Sequence, residues 1–227
     1  MLADPKAGAK GSTCASAINS QGVIVGWYGS GQLHGFVLDR SRYTTIDEPQ
    51  AGHGIGEGTI AVGINDTGVI AGYYFTSKLA ERGFMLRDGK FTSVSFPGPA
   101  GAKKAGTVLN GISDNDTMTG VFTDRAGDHV SFADHNGKFR RISVPGAKLT
   151  SAACISLHSG LITGDYQTSL ATPSRGFILH NGRYRTLQAP QAKKDTFPQC
   201  GNDHGQVAGF IIGIDDTSSG FLFTPRK

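Results

Sequence analysis

The feature that most restricts how this chain can fold is a period of about 45 residues. One glycine recurs as Gly26, Gly72, Gly120, Gly164 and Gly209, at separations of 46, 48, 44 and 45 residues. Three further landmarks keep the same register. A threonine opens each copy (Thr13, Thr59, Thr107, Thr150, Thr196), a phenylalanine sits in the third predicted strand (Phe36, Phe84, Phe132, Phe177, Phe221), and a proline closes the fourth (Pro49, Pro97, Pro145, Pro190). Repetition at this length implies stacked supersecondary units that bury their apolar faces only against one another, and four short strands per unit fit a propeller blade.

The cleanest copy, TIAVGINDTGVIAGYY from Thr59 to Tyr74, reads as strand, tight turn, strand. Alternation is of period two throughout, and with 33 glycines and only 18% charged residues the chain is turn-rich rather than helical. The expected fold is therefore all-β: a five-bladed β-propeller with four antiparallel strands per blade. It forms one domain over residues 1–227, with repeats at about 12–57, 58–105, 106–148, 149–194 and 195–227 plus 1–11. The last repeat stops at Phe223, after its third strand, while residues 3–13 align with a repeat's end. The N-terminal segment, ending at Pro5, is expected to supply the missing outer strand and close the ring.

The repeated GIN-x-x-G-x-I-x-G-Y-Y, followed by (H/R)-G-F and a terminal proline, resembles the bacterial extracellular repeats of the HAF type across essentially the whole chain. That resemblance implies a β-propeller and export from a bacterial cell, and brings no catalytic residues with it. The third copy departs most, with VSF for HGF and Asp116 in place of the first-turn glycine. Met1 leads into LADPKAGAK without the apolar core of a signal peptide, so the expectation is an extracellular or periplasmic protein in mature form, with a cytoplasmic one as the alternative.

Most landmarks read as structural. The strand-two glycine is expected to let neighbouring blades approach near the axis, and the phenylalanines to fill the space between blades. Asn19, Asn65 and Asn202 read as turn amides bonding their own backbone. Cys154 and Cys200 share one repeat position with Ala17, Gly63 and Gly111, and are expected to be small buried thiols. Neighbouring blades would hold them too far apart to bridge.

Chemistry is expected on the face of the longer connections, around the channel mouth. The blade-to-blade loops there hold Lys6, Lys10, Lys103, Lys104, Lys148, Lys193 and Lys194, which is 7 of the 11 lysines. Such a ring would concentrate an anion, with Trp27 and Tyr73, and Tyr28 and Tyr74 beside them, as stacking surface for a sugar. One loop, residues 50–58, carries His53 and Glu57 instead, and Asp165 stands where other copies have Trp27, Tyr73, Val121 and Phe210. The plain reading of Asp165 pairs it with Arg175 or Arg185.

Three functions follow. The first is a monomeric, secreted module binding an anionic saccharide or similar anion. The second is a polysaccharide hydrolase or lyase using Glu57, His53 and Asp165. The third is an interaction scaffold. The sequence has no apolar run long enough for a membrane helix, no metal-ligand spacing among its seven histidines, no phosphate or dinucleotide loop and no nucleophile elbow. No metal or cofactor is expected. Nor are nucleic acid or membrane partners, since the basic loops lack interleaved aromatics.

Overall fold

The computed structural model describes residues 4–8, 11–98, 106–123, 129–189, 192 and 194–225. Apart from a short 3-10 turn at Pro5–Ala7, its regular structure is β-strand. Unit one comprises β1 (Ser12–Ile18), β2 (Ile24–Gly29), β3 (Leu33–Asp39) and β4 (Arg42–Ile46). Unit two comprises β5 (Gly58–Ile64), β6 (Ile70–Phe75), β7 (Glu81–Arg87) and β8 (Lys90–Val94). Unit three comprises β9 (Gly106–Ile112), β10 (Met118–Thr123), β11 (His129–His135) and β12 (Lys138–Ile142). Unit four comprises β13 (Leu149–Ile155), β14 (Ile162–Gln167), β15 (Arg175–His180) and β16 (Arg183–Leu187). Unit five has β17 (Thr196–Gly201), β18 (Val207–Ile212) and β19 (Ser218–Phe223). Pairing within each unit is antiparallel between successive strands, giving sheets of 8, 4, 4 and 3 strands. The eight-stranded sheet is units one and two joined by a single parallel pairing, Leu33 with Gly58.

The turns are those the residue types demand. Asp88, Asn136 and Asn181 take φ of 49°, 54° and 50°, each followed by a glycine in the same left-handed region, as two-residue hairpins require. Asp116 adopts φ 62° in place of the usual first-turn glycine, held by Asn65 Nδ2 at 3.0 Å and Arg87 at 2.7 Å.

Phe36, Phe84, Phe132 and Phe177 are fully buried, and they give the strand-two glycine a different reason from the one expected. A Cβ on Gly26 would lie 2.9 Å from the Phe36 ring and one on Gly120 2.8 Å from Phe132. The glycine makes room for a first-strand carbonyl and the aromatic ring of its own unit, not for the neighbouring blade. The asparagines likewise do more than form turns. Asn65 Oδ1 accepts the Val69 amide at 2.9 Å, but its Nδ2 donates to the Ser113 carbonyl of the next unit at 3.2 Å, and Asn19 Nδ2 reaches the Asn65 carbonyl at 3.1 Å.

Each unit packs on the next: β2 and β3 on β5, β6 and β7 on β9, β10 and β11 on β13, β14 and β15 on β17. Among the described residues no comparable packing brings β18 or β19 against β1. Among the described residues, both ends of the series are correspondingly exposed, with Ile18 58% and Leu222 68% accessible. The expected closing strand is absent from the described residues. Residues 5–7 form the 3-10 turn instead, and Ala7 packs on Tyr28, Phe36 and Leu38 of unit one.

Register explains this outcome. The outer strands end at Ile46, Val94, Ile142 and Leu187, three residues before Pro49, Pro97, Pro145 and Pro190. The residue preceding the proline then gives its amide to the unit-opening threonine, Glu48 to Thr59 at 2.9 Å and Val144 to Thr150 at 3.1 Å. Asp4 does the same to Thr13 at 3.0 Å, so Pro5 marks the exit turn, and the matching strand position lies before the described residues.

Candidate functional site

The five first strands surround one cavity of about 520 Å³. Each is broken at the same place by a β-bulge, between Ala15 and Ala17, Ala61 and Gly63, Leu109 and Gly111, Ala152 and Cys154, and Pro198 and Cys200. The extra residues are Ser16, Val62, Asn110, Ala153 and Gln199, and all five line the cavity. A bulge bends its strand and re-aims a side chain, so here five bulges furnish the wall. Pro198, adjacent to one of them, costs no ladder bond.

Near this axis the strands converge, which overturns the expectation for the cysteines. Cys154 and Cys200 form a disulfide across β13 and β17, their Cα atoms 5.2 Å apart, well inside the range a bridge spans. The reason is visible at the equivalent glycines: a Cβ on Gly63 would lie 3.2 Å from the Gly111 Cα. Equivalent positions are distant at a blade's rim and adjacent at its hub. Cys14 is a free, exposed thiol.

At the turn end of the cavity the first-hairpin turns form a chain of contacts. Asp66 accepts the Ser20 amide at 2.8 Å, the Asp66 amide reaches Asp114 at 2.8 Å, and the Asp114 amide reaches the Leu157 carbonyl at 2.8 Å. His158 and Ser159 then give their amides to Asp203 at 3.0 and 2.8 Å. The His158 ring stands among three carboxylates, with Nδ1 2.9 Å from Asp203 and Nε2 3.5 and 3.4 Å from Asp66 and Asp114.

Donor atoms of Asp66, Asp114 and His158 lie within 4.8 Å of one another, a spacing a divalent cation could bridge. The oxygens are already engaged in joining turns, however, and the arrangement accounts for itself as a belt linking successive units. Ser20 bonding holds the Asp66 carboxyl below the usual aspartate range. Burial pushes Asp203 up, but the Ser159 and His158 amides outweigh it and the net shift is downward. Sequence spacing gave no sign of this cluster, because its members come from separate repeats. The signal it did carry was one aspartate recurring at the same turn position, Asp66 after Asn65, Asp114 after Ser113 and Asp203 after Asn202.

The residues proposed from sequence for catalysis are not gathered together. The Glu57 carboxylate folds back on its own loop, accepting the Gly54 amide at 2.7 Å, and His53 Nδ1 meets Gln32 at 3.0 Å. Asp165 lies in unit four, where its partner is the Ser174 hydroxyl at 3.1 Å, not Arg175 or Arg185; Arg185 stacks on Phe223 with its guanidinium 5.0 Å from the ring centroid. Burial raises the Asp165 carboxyl, the Ser174 bond opposes this, and Asp195 adds to it.

Of the proposed ligand-binding residues, Lys10, Lys103, Lys104 and Lys193 lie outside the described residues. Lys194 is spent on Asp216 and Lys6 on the Thr45 hydroxyl at 3.0 Å. Lys148 lines a small polar recess with His129 and Arg141. Trp27 and Tyr73 are half-buried, Tyr73 edge-on to Phe75 at 5.7 Å, while Tyr28 and Tyr74 are buried. No helix among the described residues is long and apolar enough to cross a membrane.

No protein-family model matches the chain, and no curated protein matches it significantly. Among solved structures it is similar to AofleA from Arthrobotrys oligospora, at 12% identity and TM-score 0.55 over 94% of this chain and 68% of that one. It is also similar to Aleuria aurantia lectin in complex with alpha-methyl-L-fucoside, at 12% identity and TM-score 0.51 over 93% and 72%. The same lectin with Fucalpha1-6GlcNAc gives TM-score 0.50 at 12% identity over 93% and 74%. At such identity the likeness shows the fold, a β-propeller.

Proposed function

We propose that this chain is a five-bladed β-propeller that binds carbohydrate and does not cleave it. The observation that carries the reading is the fold likeness to Aleuria aurantia lectin, whose structures hold a fucoside. The count of five rests on the sequence period and on the five bulged strands lining one cavity. Binding is favoured over hydrolysis because Glu57, His53 and Asp165 are each engaged locally, in two different units, whereas a glycosidase needs two carboxyl groups within about 5–9.5 Å of the same bond.

The reading extends to export, and to membership of the HAF-type repeats. The Cys154–Cys200 bridge supports export, since such bridges persist in oxidising compartments and are rare in the cytosol. It also extends to a preference for acidic saccharides at the loop face, where Lys148, Arg141 and His129 converge.

Calorimetric titration with α-methyl-L-fucoside and with polygalacturonate, at about 0.05 and 0.5 M salt, tests both levels. Exposed charge pairs are screened within about 4–5 Å at the higher value. The expected result is binding of at least one saccharide, with only the acidic one weakening in salt and weakening further in Lys148→Ser. Salt-independent binding of polygalacturonate would remove the acidic preference, and no binding of any saccharide would remove the function.

A further inference from the structure

Asp134 breaks the repeat. Two residues after the core phenylalanine the other units carry Leu38, Leu86, Leu179 and Phe223. Asp134 pairs across the sheet with Met118 on one side and Phe139 on the other, beside the apolar layer shared by units two and three. It is only 3% exposed, and one of its carboxylate oxygens has no hydrogen-bond partner. A buried polar group left unpaired in apolar surroundings is unfavourable, and its persistence calls for an explanation. Burial holds its carboxyl above the usual range despite the Gly137 amide and His135.

The same residue lines a groove of about 400 Å³ between units two and three. Met85, Met118 and Phe139 give the groove an apolar wall, and Thr92, Ser93 and Asn136 supply short polar side chains. At its rim Asp116 is paired with Arg87 at 2.7 Å. The corresponding groove between units three and four has Leu179 in the place of Asp134 and Arg140 in the place of Thr92. The carboxyl group therefore belongs to one groove and not to the repeat.

We propose that this groove binds a neutral sugar ring, Asp134 accepting its hydroxyls while Met85, Met118 and Phe139 pack its apolar face. The inference rests on the carbohydrate-binding reading and gives a neutral sugar its own location, apart from the basic recess at Lys148. An amphipathic wall with one convergent carboxyl is what a polyhydroxylated ring with a C–H face requires. An acidic ligand would meet Asp134 and Asp116 with the nearby Arg87 already paired. Among the described residues, side chains with metal-ligand spacing occur at Asp66, Asp114 and His158 and not in this groove.

Two of the three methionines, Met85 and Met118, line the groove, so methionine-methyl labelling reports on it directly by NMR. The full chain would be titrated with α-methyl-L-fucoside, methyl α-D-mannoside and methyl β-D-galactoside, in parallel with calorimetry, as parent, Asp134→Leu and Asp134→Asn. Leucine is the residue at this position in units one, two and four, so that variant should fold at least as well as the parent; should it not, Asp134→Asn decides the same question.

The expected result is movement of the Met85 and Met118 signals by at least one sugar, with affinity falling about tenfold or more in Asp134→Leu, the scale of a lost charge-assisted hydrogen bond. A sugar that binds by calorimetry without moving those signals overturns this location while leaving carbohydrate binding intact, as would unchanged affinity in both variants. Absence of any sugar binding defeats both.

Discussion

Asn65 is completely buried, and its amide is shared between two units: Oδ1 serves its own turn, through Val69 and Thr67, and Nδ2 serves Ser113 and Asp116 of the next. Asp165 shows the other fate of a polar side chain in this fold, being half-buried with a single hydroxyl partner. Burial favours its protonated form in the folded state, so the associated stability is present below the ordinary aspartate value of 3.8 and is lost as pH rises through the higher folded value. Asp203 runs the opposite way, its lowered carboxyl contributing stability above 3.8 that is lost as pH falls. Asp165→Asn should therefore gain on the parent as pH climbs from 3.8. Urea midpoints for both proteins, measured across that range, would show the gap widening; a constant gap would mean that Asp165 titrates normally.

At the scale of elements, the hub strands carry the most information that sequence did not reveal. Strand positions and tight turns were legible, because alternation and Asp-Gly or Asn-Gly pairs report local geometry. The bulges were not, since Ser16, Val62, Asn110, Ala153 and Gln199 have no residue type in common. The bridge between β13 and β17 was misread for a related reason, namely that blade spacing at the rim was applied to the hub. Thiol titration of the unreduced, denatured chain should find one free thiol, Cys14, and three would refute the bridge. Reduction should lower stability by about 2–4 kcal/mol, the usual contribution of a bridge closing a loop of this length.

For the whole molecule, the two ends of the series differ from its interior. Asn202 shows the break in the series: its Nδ2 turns back to Gln206 at 2.8 Å instead of reaching a following unit. Residues 4–8 lie on unit one, with Ala7 over Tyr28 and Phe36 and the Lys6 ammonium on Thr45. Deleting residues 1–8 should therefore increase hydrogen exchange in β2–β4; unchanged exchange there would mean that residues 4–8 do not brace unit one.

The sequence by itself determined the all-β class, the period, the turns and the core phenylalanines. These follow from local propensity and from burial that repeats with the chain, and both are written in neighbouring residues. Only the tertiary structure decided what faces the axis and what lies between units. Contacts there join residues 42 to 48 apart, as between Asn110 and Ala152 or Asp66 and Asp114, and the distance between two such residues depends on how far they stand from the hub. That radial coordinate has no counterpart in residue order. Asp134 and His158 were accordingly visible as residues, but their surroundings were not.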